Sequence, residues 1–123
     1  MTDPSYRTCL EKQMAGYLKA IGLEFAEQYS LRSGSVLDFL VQFKKPDGTT
    51  FSVDVETDGS NWHHTTSQRQ RDIMRDKTTR AMGIEVVRFR EGFNCHQVYG
   101  TLVQVARRNG VVNFPPFPEV TGD

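Results

Sequence analysis

Asp38, Glu56 and Asp58 flank a hairpin signal whose register would bring them together. Leu37, Phe39, Val41 and Phe43 alternate with other residues, and Phe51, Val53 and Val55 do the same, the period of strands with one apolar face. Between them, Lys45-Pro46-Asp47-Gly48 is turn chemistry, with Gly48 suited to the left-handed position. A turn centred on Asp47 pairs Phe43 with Phe51, Val41 with Val53 and Phe39 with Val55, all apolar. The same register sets Asp38 opposite Glu56 on the other face, with Cβ atoms about 4.5–5.5 Å apart. Asp58, two residues beyond Glu56, points the same way. Carboxylates this close repel unless a proton or a divalent metal sits between them. Such an oxygen-rich site suits Mg2+ or Mn2+, which clamp phosphoryl oxygens and activate water. The competing reading is an ordinary solvated sheet face.

The elements that must position these groups are legible along the chain. Leu10, Met14, Tyr17, Leu18 and Ile21 recur at helical spacing and Gly22 stops the run, predicting a first helix over 6–21. Leu23 to Leu31 is a weaker strand candidate, followed by a turn at Arg32-Ser33-Gly34-Ser35. After the hairpin, Gln68 to Met82 reads as a polar-faced helix closed by Gly83, Ile84 to Phe89 as a buried strand, and Gln97 to Arg108 as a last helix. The expected order is helix, strand, β-hairpin, helix, strand, helix. That is an α/β (α+β) domain with a mixed, mostly antiparallel sheet flanked by helices on both sides. The core spans about 6–109, and 110–123, with Pro115, Pro116 and Pro118, is expected as an extended surface tail.

Bulk composition narrows the class. A chain of 123 residues fits one domain with a real core. Lys+Arg and Asp+Glu balance at 15 each, so no global basic field announces a nucleic-acid partner. Cys9 and Cys95 form no close pair and read as free thiols of a cytoplasmic protein. No apolar run approaches the roughly 20 residues of a membrane span.

Several short motifs, taken in order, resemble a known group. They are Val36-Leu37-Asp38-Phe39, Val55-Glu56-Thr57-Asp58-Gly59, Trp62-His63, Arg71-Asp72, and Gly83-Ile84-Glu85-Val86-Val87-Arg88-Phe89. Together they look like the very-short-patch repair endonucleases, a branch of the PD-(D/E)xK, restriction-endonuclease-like nucleases. That branch includes homing endonucleases named for an EDxHD active-site pattern. The likeness spans roughly Glu11 to Phe89. It implies a restriction-endonuclease-like core and Mg2+-dependent hydrolysis of DNA in a bacterial or phage setting, with Mn2+ able to substitute.

The resemblance also implies roles. Glu11, Asp38, His63 and Asp72 spell the EDxHD pattern in order. Asp38 matches the central metal-binding aspartate, and the Thr57 position supplies a backbone carbonyl to the metal. Glu56 and Asp58 belong to the same ligand segment. His63 matches the general base, and its ordinary pKa of about 6.5 suits that task. Asp72 orients active-site groups, and Glu11 reaches toward the metal-bound water. Glu11 also lies three residues after Thr8, the spacing of a helix capping box, so a structural role stands beside the catalytic one. Trp62, His64, Arg69, Arg71, Arg75 and Arg88 are the candidate DNA contacts, although Trp62 could equally be packing and the arginines a solvated face.

Two departures sharpen the expectation. Asp58 stands where the E-x-K element has its lysine, which agrees with the histidine-using branch. Cysteine and histidine ligands for a structural zinc are missing, so none is expected. A homing or mobile-element nuclease fits better than a mismatch-repair enzyme. One site cuts one strand, so a homodimer, or a separate DNA-recognition domain or subunit, is the expected partner. The alternatives are a nuclease acting on RNA or branched DNA, and a catalytically silent nucleic-acid-binding or assembly module of the same fold.

Overall fold

A computed structural model describes residues 8–59 and 65–118. Its elements run α1 (Cys9–Ile21), β1 (Phe25–Ser30), β2 (Val36–Lys44), β3 (Thr50–Asp58), α2 (Thr66–Ala81), β4 (Ile84–Arg90) and α3 (Cys95–Arg108). The order matches the sequence expectation. The strands form one sheet in the order β1-β2-β3-β4, antiparallel except for the parallel β3–β4 pair. The two parallel strands are joined through α2, the crossover that parallel pairing requires.

The hairpin adopts the expected register, pairing Phe39 with Val55, Val41 with Val53 and Phe43 with Phe51. Gly48 takes φ +87° and donates its amide to the Lys45 carbonyl at 3.0 Å. Asp47 Oδ1 accepts from the Thr49 amide at 2.9 Å, closing the turn from the other side.

The odd-numbered residues of the central strands face the main core. There Phe39, Val41, Val53 and Val55 are fully buried against Met14 and Leu18 of α1 and Val98 and Leu102 of α3. These helices bury residues at three- and four-residue spacing, so their docking follows from hydrophobic burial. Each of α1, α2 and α3 starts with a reciprocal capping box, at Thr8/Glu11, Thr65/Gln68 and Asn94/Gln97. Such caps are worth about 1 kcal/mol apiece.

The second helix is different. Among its residues only Thr79 is buried, and Ile73 and Met74 are exposed. With no apolar stripe to dock it, α2 is tied to the sheet by polar contacts on the face opposite α1 and α3.

The tail departs from the expected surface segment. Val111 is buried, and Phe114 packs on Phe43 and Tyr99 with ring centroids 5.5 and 5.3 Å apart. Tyr99 Oη donates to the Pro115 carbonyl at 2.7 Å, and Phe117 stacks on His96 at 4.4 Å. Phe114, just before the prolines, and Phe117, between Pro116 and Pro118, hold the segment down. Both cysteines are free. Among the described residues no helix is long and apolar enough to cross a membrane.

Candidate active site

The even-numbered residues of β2 and β3 point away from the core, and there the acidic groups meet. One step beyond the Phe39–Val55 pair, Asp38 and Glu56 oppose each other as the register requires. The Asp38 amide donates to Glu56 Oε2 at 2.9 Å, and the Thr57 amide donates to Asp38 Oδ2 at 3.1 Å. Each strand therefore lends a backbone donor to the other strand's carboxylate. Asp38 Oδ1 has no hydrogen bond among the described residues. Burial, and then the neighbouring Glu56, push the Asp38 pKa up to about 6, and Glu11 adds to the push.

From above the sheet, α2 completes the cluster. Arg75 Nη2 donates to the Val36 carbonyl and to Glu56 Oε1, the latter at 3.3 Å. Glu56 is only 5% exposed, and both of its oxygens are engaged. In the next register position Arg88 lies opposite Glu56, yet its guanidinium forks onto Asp76 at 3.1 and 3.2 Å. Two of the arginines expected to contact DNA, Arg75 and Arg88, are thus bound to carboxylates of the chain. Arg69 and Arg71 stay exposed on α2.

Glu11 serves as the cap and also approaches the site. Its Oε1 accepts from the Thr8 amide and hydroxyl at 3.3 and 3.0 Å, while Oε2 accepts from Gln28 Nε2 at 2.8 Å. The capping role and the approach to Asp38 coexist. Asp58 lies two residues along β3, half-buried and in register with Arg90. Asp72, half-buried on α2, contributes to the field at Arg88. Trp62, His63 and His64 lie outside the described residues.

Asp54 and Gln28 belong to this site and have no part in the sequence expectation. Asp54 lies two residues before Glu56 on the same face, is 2% exposed, and leaves Oδ1 without a partner. Its pKa is pushed up to about 9, first by burial, then by the hydrogen bond its protonated form makes to Glu56 and by the charge of Glu56. Asp54 is therefore the carboxyl group of the cluster pushed furthest toward its protonated form. Alternation through Val53-Asp54-Val55 was the signal for it. Gln28 falls opposite Asp38 in the β1–β2 register, at φ +49°, the one positive φ among the described non-glycine residues. Nothing in the sequence marks that conformation.

Among the described residues, no three His, Cys, Asp or Glu side chains are grouped so as to hold a metal ion. The hard oxygen chemistry of the donors still fits Mg2+: Asp38 offers a desolvated carboxylate with one oxygen that has no hydrogen bond among the described residues. Each Glu56 oxygen already accepts one hydrogen bond, which leaves it less open than Asp38. Fold and site together describe an α+β domain with a mixed four-stranded sheet carrying a carboxylate cluster on one face. No protein-family model matches the chain, nor does any curated protein or solved structure.

Proposed function

We propose that this chain is a metal-dependent DNA endonuclease of the homing or mobile-element kind, with a restriction-endonuclease-like core related to very-short-patch repair nucleases. The observation that carries the reading is the meeting of Asp38 and Glu56 across the β2–β3 hairpin, with Asp38 desolvated and one of its oxygens without a hydrogen bond among the described residues. Asp38 and the Glu56–Thr57 segment would hold the metal, with the Thr57 carbonyl as the backbone donor the resemblance implies and Asp58 as the further carboxylate along β3. Bound there, Mg2+ or Mn2+ supplies Lewis acidity at a phosphate oxygen. Asp38 must be ionised for this role, which sets the pH at which the site is competent. His63 takes the proton of the attacking water, and Glu11 and Asp72 orient the groups around it. Arg69, Arg71, Trp62 and His64 face the DNA.

The test is plasmid nicking with and without Mg2+, comparing the native chain with Asp38→Ala and His63→Ala. Metal-dependent nicking that both substitutions abolish is the expected result. Folded native chain that cuts nothing under any divalent metal overturns the reading. One observation favours the silent binding or assembly module instead: each Glu56 oxygen already accepts a hydrogen bond within the chain, from Arg75 or the Asp38 amide. DNA binding without cleavage would establish that module, and cleavage of RNA or branched DNA alone would reassign the substrate.

A further inference from the structure

Arg75 is the cation that forms an ion pair with the buried Glu56, and it reaches it from a helix with almost no apolar anchorage. A carboxylate this buried needs a proton or a cation beside it. Arg75 supplies that cation at 3.3 Å. From there the contacts form a chain across three elements. Arg75 on α2 holds Glu56 on β3; Glu56 holds the Asp38 amide on β2; and the Thr57 amide on β3 holds Asp38 Oδ2. The same guanidinium nitrogen also grips the Val36 carbonyl, two residues before Asp38. Asp38 is thereby fixed from its amide, its carboxylate and the backbone before it, and Oδ1 is the oxygen without a hydrogen bond among the described residues.

We propose that Arg75 is a positioning residue of the candidate active site: through Glu56 and Val36 it sets where the Asp38 carboxylate points. This deepens the nuclease reading and rests on it for its catalytic meaning. In this role Arg75 Nη2 serves two internal acceptors instead of a phosphate. Arg88, in register with Glu56, does not substitute, because both of its terminal nitrogens go to Asp76. A lysine would keep the charge but lack the planar fork that gives arginine its geometry.

Two readouts on the full chain test this, with Arg75→Gln, Arg75→Lys and Glu56→Gln. The first is the pair of backbone amide resonances of Asp38 and Thr57, which report on the ring without any activity. Arg75→Gln should move both upfield, Glu56→Gln should move Asp38 most, and Arg75→Lys should fall between Arg75→Gln and the native chain. Unmoved amides in a folded Arg75→Gln chain overturn the proposal. If Arg75→Gln fails to fold, Arg75→Lys decides, and an Asp38 amide identical to native overturns it. The second readout is Mg2+-dependent nicking. Arg75→Gln should lower kcat about 10–100-fold, the usual cost of removing a group that orients a metal ligand, with KM little changed. A raised KM with unchanged kcat, and a salt slope shallower by about one, would mean a phosphate contact and would overturn the proposal. A native chain that does not nick overturns the nuclease reading, and the amides alone then decide whether Arg75 holds Asp38.

Discussion

Replacing Asp54 by asparagine should stabilise this protein, and by an amount that grows with pH. Asp54 is a carboxyl group at 2% exposure, with one oxygen unpartnered and the other beside Glu56. In the unfolded chain it titrates near its ordinary value of 3.8, whereas in the fold it keeps its proton up to about 9. A folded-state pKa above the unfolded one contributes stability that is complete below the unfolded value and lost as pH rises toward the folded one. Across that window folding binds one proton, so stability falls by about 1.4 kcal/mol for each pH unit. At pH 7 the accumulated cost is about 4 kcal/mol, and at pH 5 about 2 kcal/mol, both upper bounds. Asparagine keeps the shape, needs no proton, and presents an amide donor to Glu56. Urea unfolding of the native chain and Asp54→Asn at pH 5, 6 and 7 measures the difference directly. The variant should be the more stable one at pH 7, with the gap narrowing toward pH 5. A gap that does not change with pH, or a variant less stable at pH 7, would show that Asp54 is not held protonated.

The other expectations follow from the same geometry. Metal-dependent nicking should rise with pH through an apparent pKa at or below about 6, because protonated Asp38 is a poor ligand. Raising Mg2+ should move that limb to lower pH, and a limb that ignores Mg2+ belongs to another group. In the core, Phe39 is 1% exposed and meets Phe25 edge to face at 5.8 Å. Phe39→Ala should cost about 3–5 kcal/mol in a urea unfolding experiment, and a much smaller loss would mean the surrounding core collapses into the space.

How much was legible in the residues depended on whether the determinant was local. The hairpin register followed from three apolar pairs and a turn, and with it the opposition of Asp38 and Glu56, because a side-chain period of two leaves no freedom. Helix starts were less sharply marked: expected at 6, 68 and 97, they lie at Cys9, Thr66 and Cys95, although each has a cap whose partner is three residues away. The roles of Arg75 and Arg88 were not legible. Arginines and acids alternate around α2, and which arginine turns inward is decided by how the helix docks on the sheet. Asp54 was legible as a face, through its place between two valines, but not as a protonated acid, since that depends on the burial α2 provides. Gln28 had no signal at all: a positive φ at glutamine is a product of the surrounding fold. The tail's prolines mark its extended course, whereas its packing onto α3 comes from Phe114 and Phe117.

The hairpin also allows turn and strands to be weighed against each other as the source of the register. Gly48 sits at φ +87° with open space around the position of a Cβ, so Gly48→Ala introduces backbone strain without a clash. The left-handed conformation costs alanine about 1 kcal/mol, partly offset by the smaller freedom of the unfolded chain. Against this stand the cross-strand pairs from Phe39–Val55 to Lys44–Thr50, the apolar ones buried on the core face. A slip by one residue would turn that whole face toward α2 and expose or misplace each of them. The burial lost is several times the turn strain, so the strands win. Gly48→Ala should therefore lower stability by about 1 kcal/mol or less while leaving the Asp38 and Thr57 amide resonances in place. Displacement of those two amides in a folded Gly48→Ala chain would mean that the turn, and not the paired side chains, aligns Asp38 with Glu56.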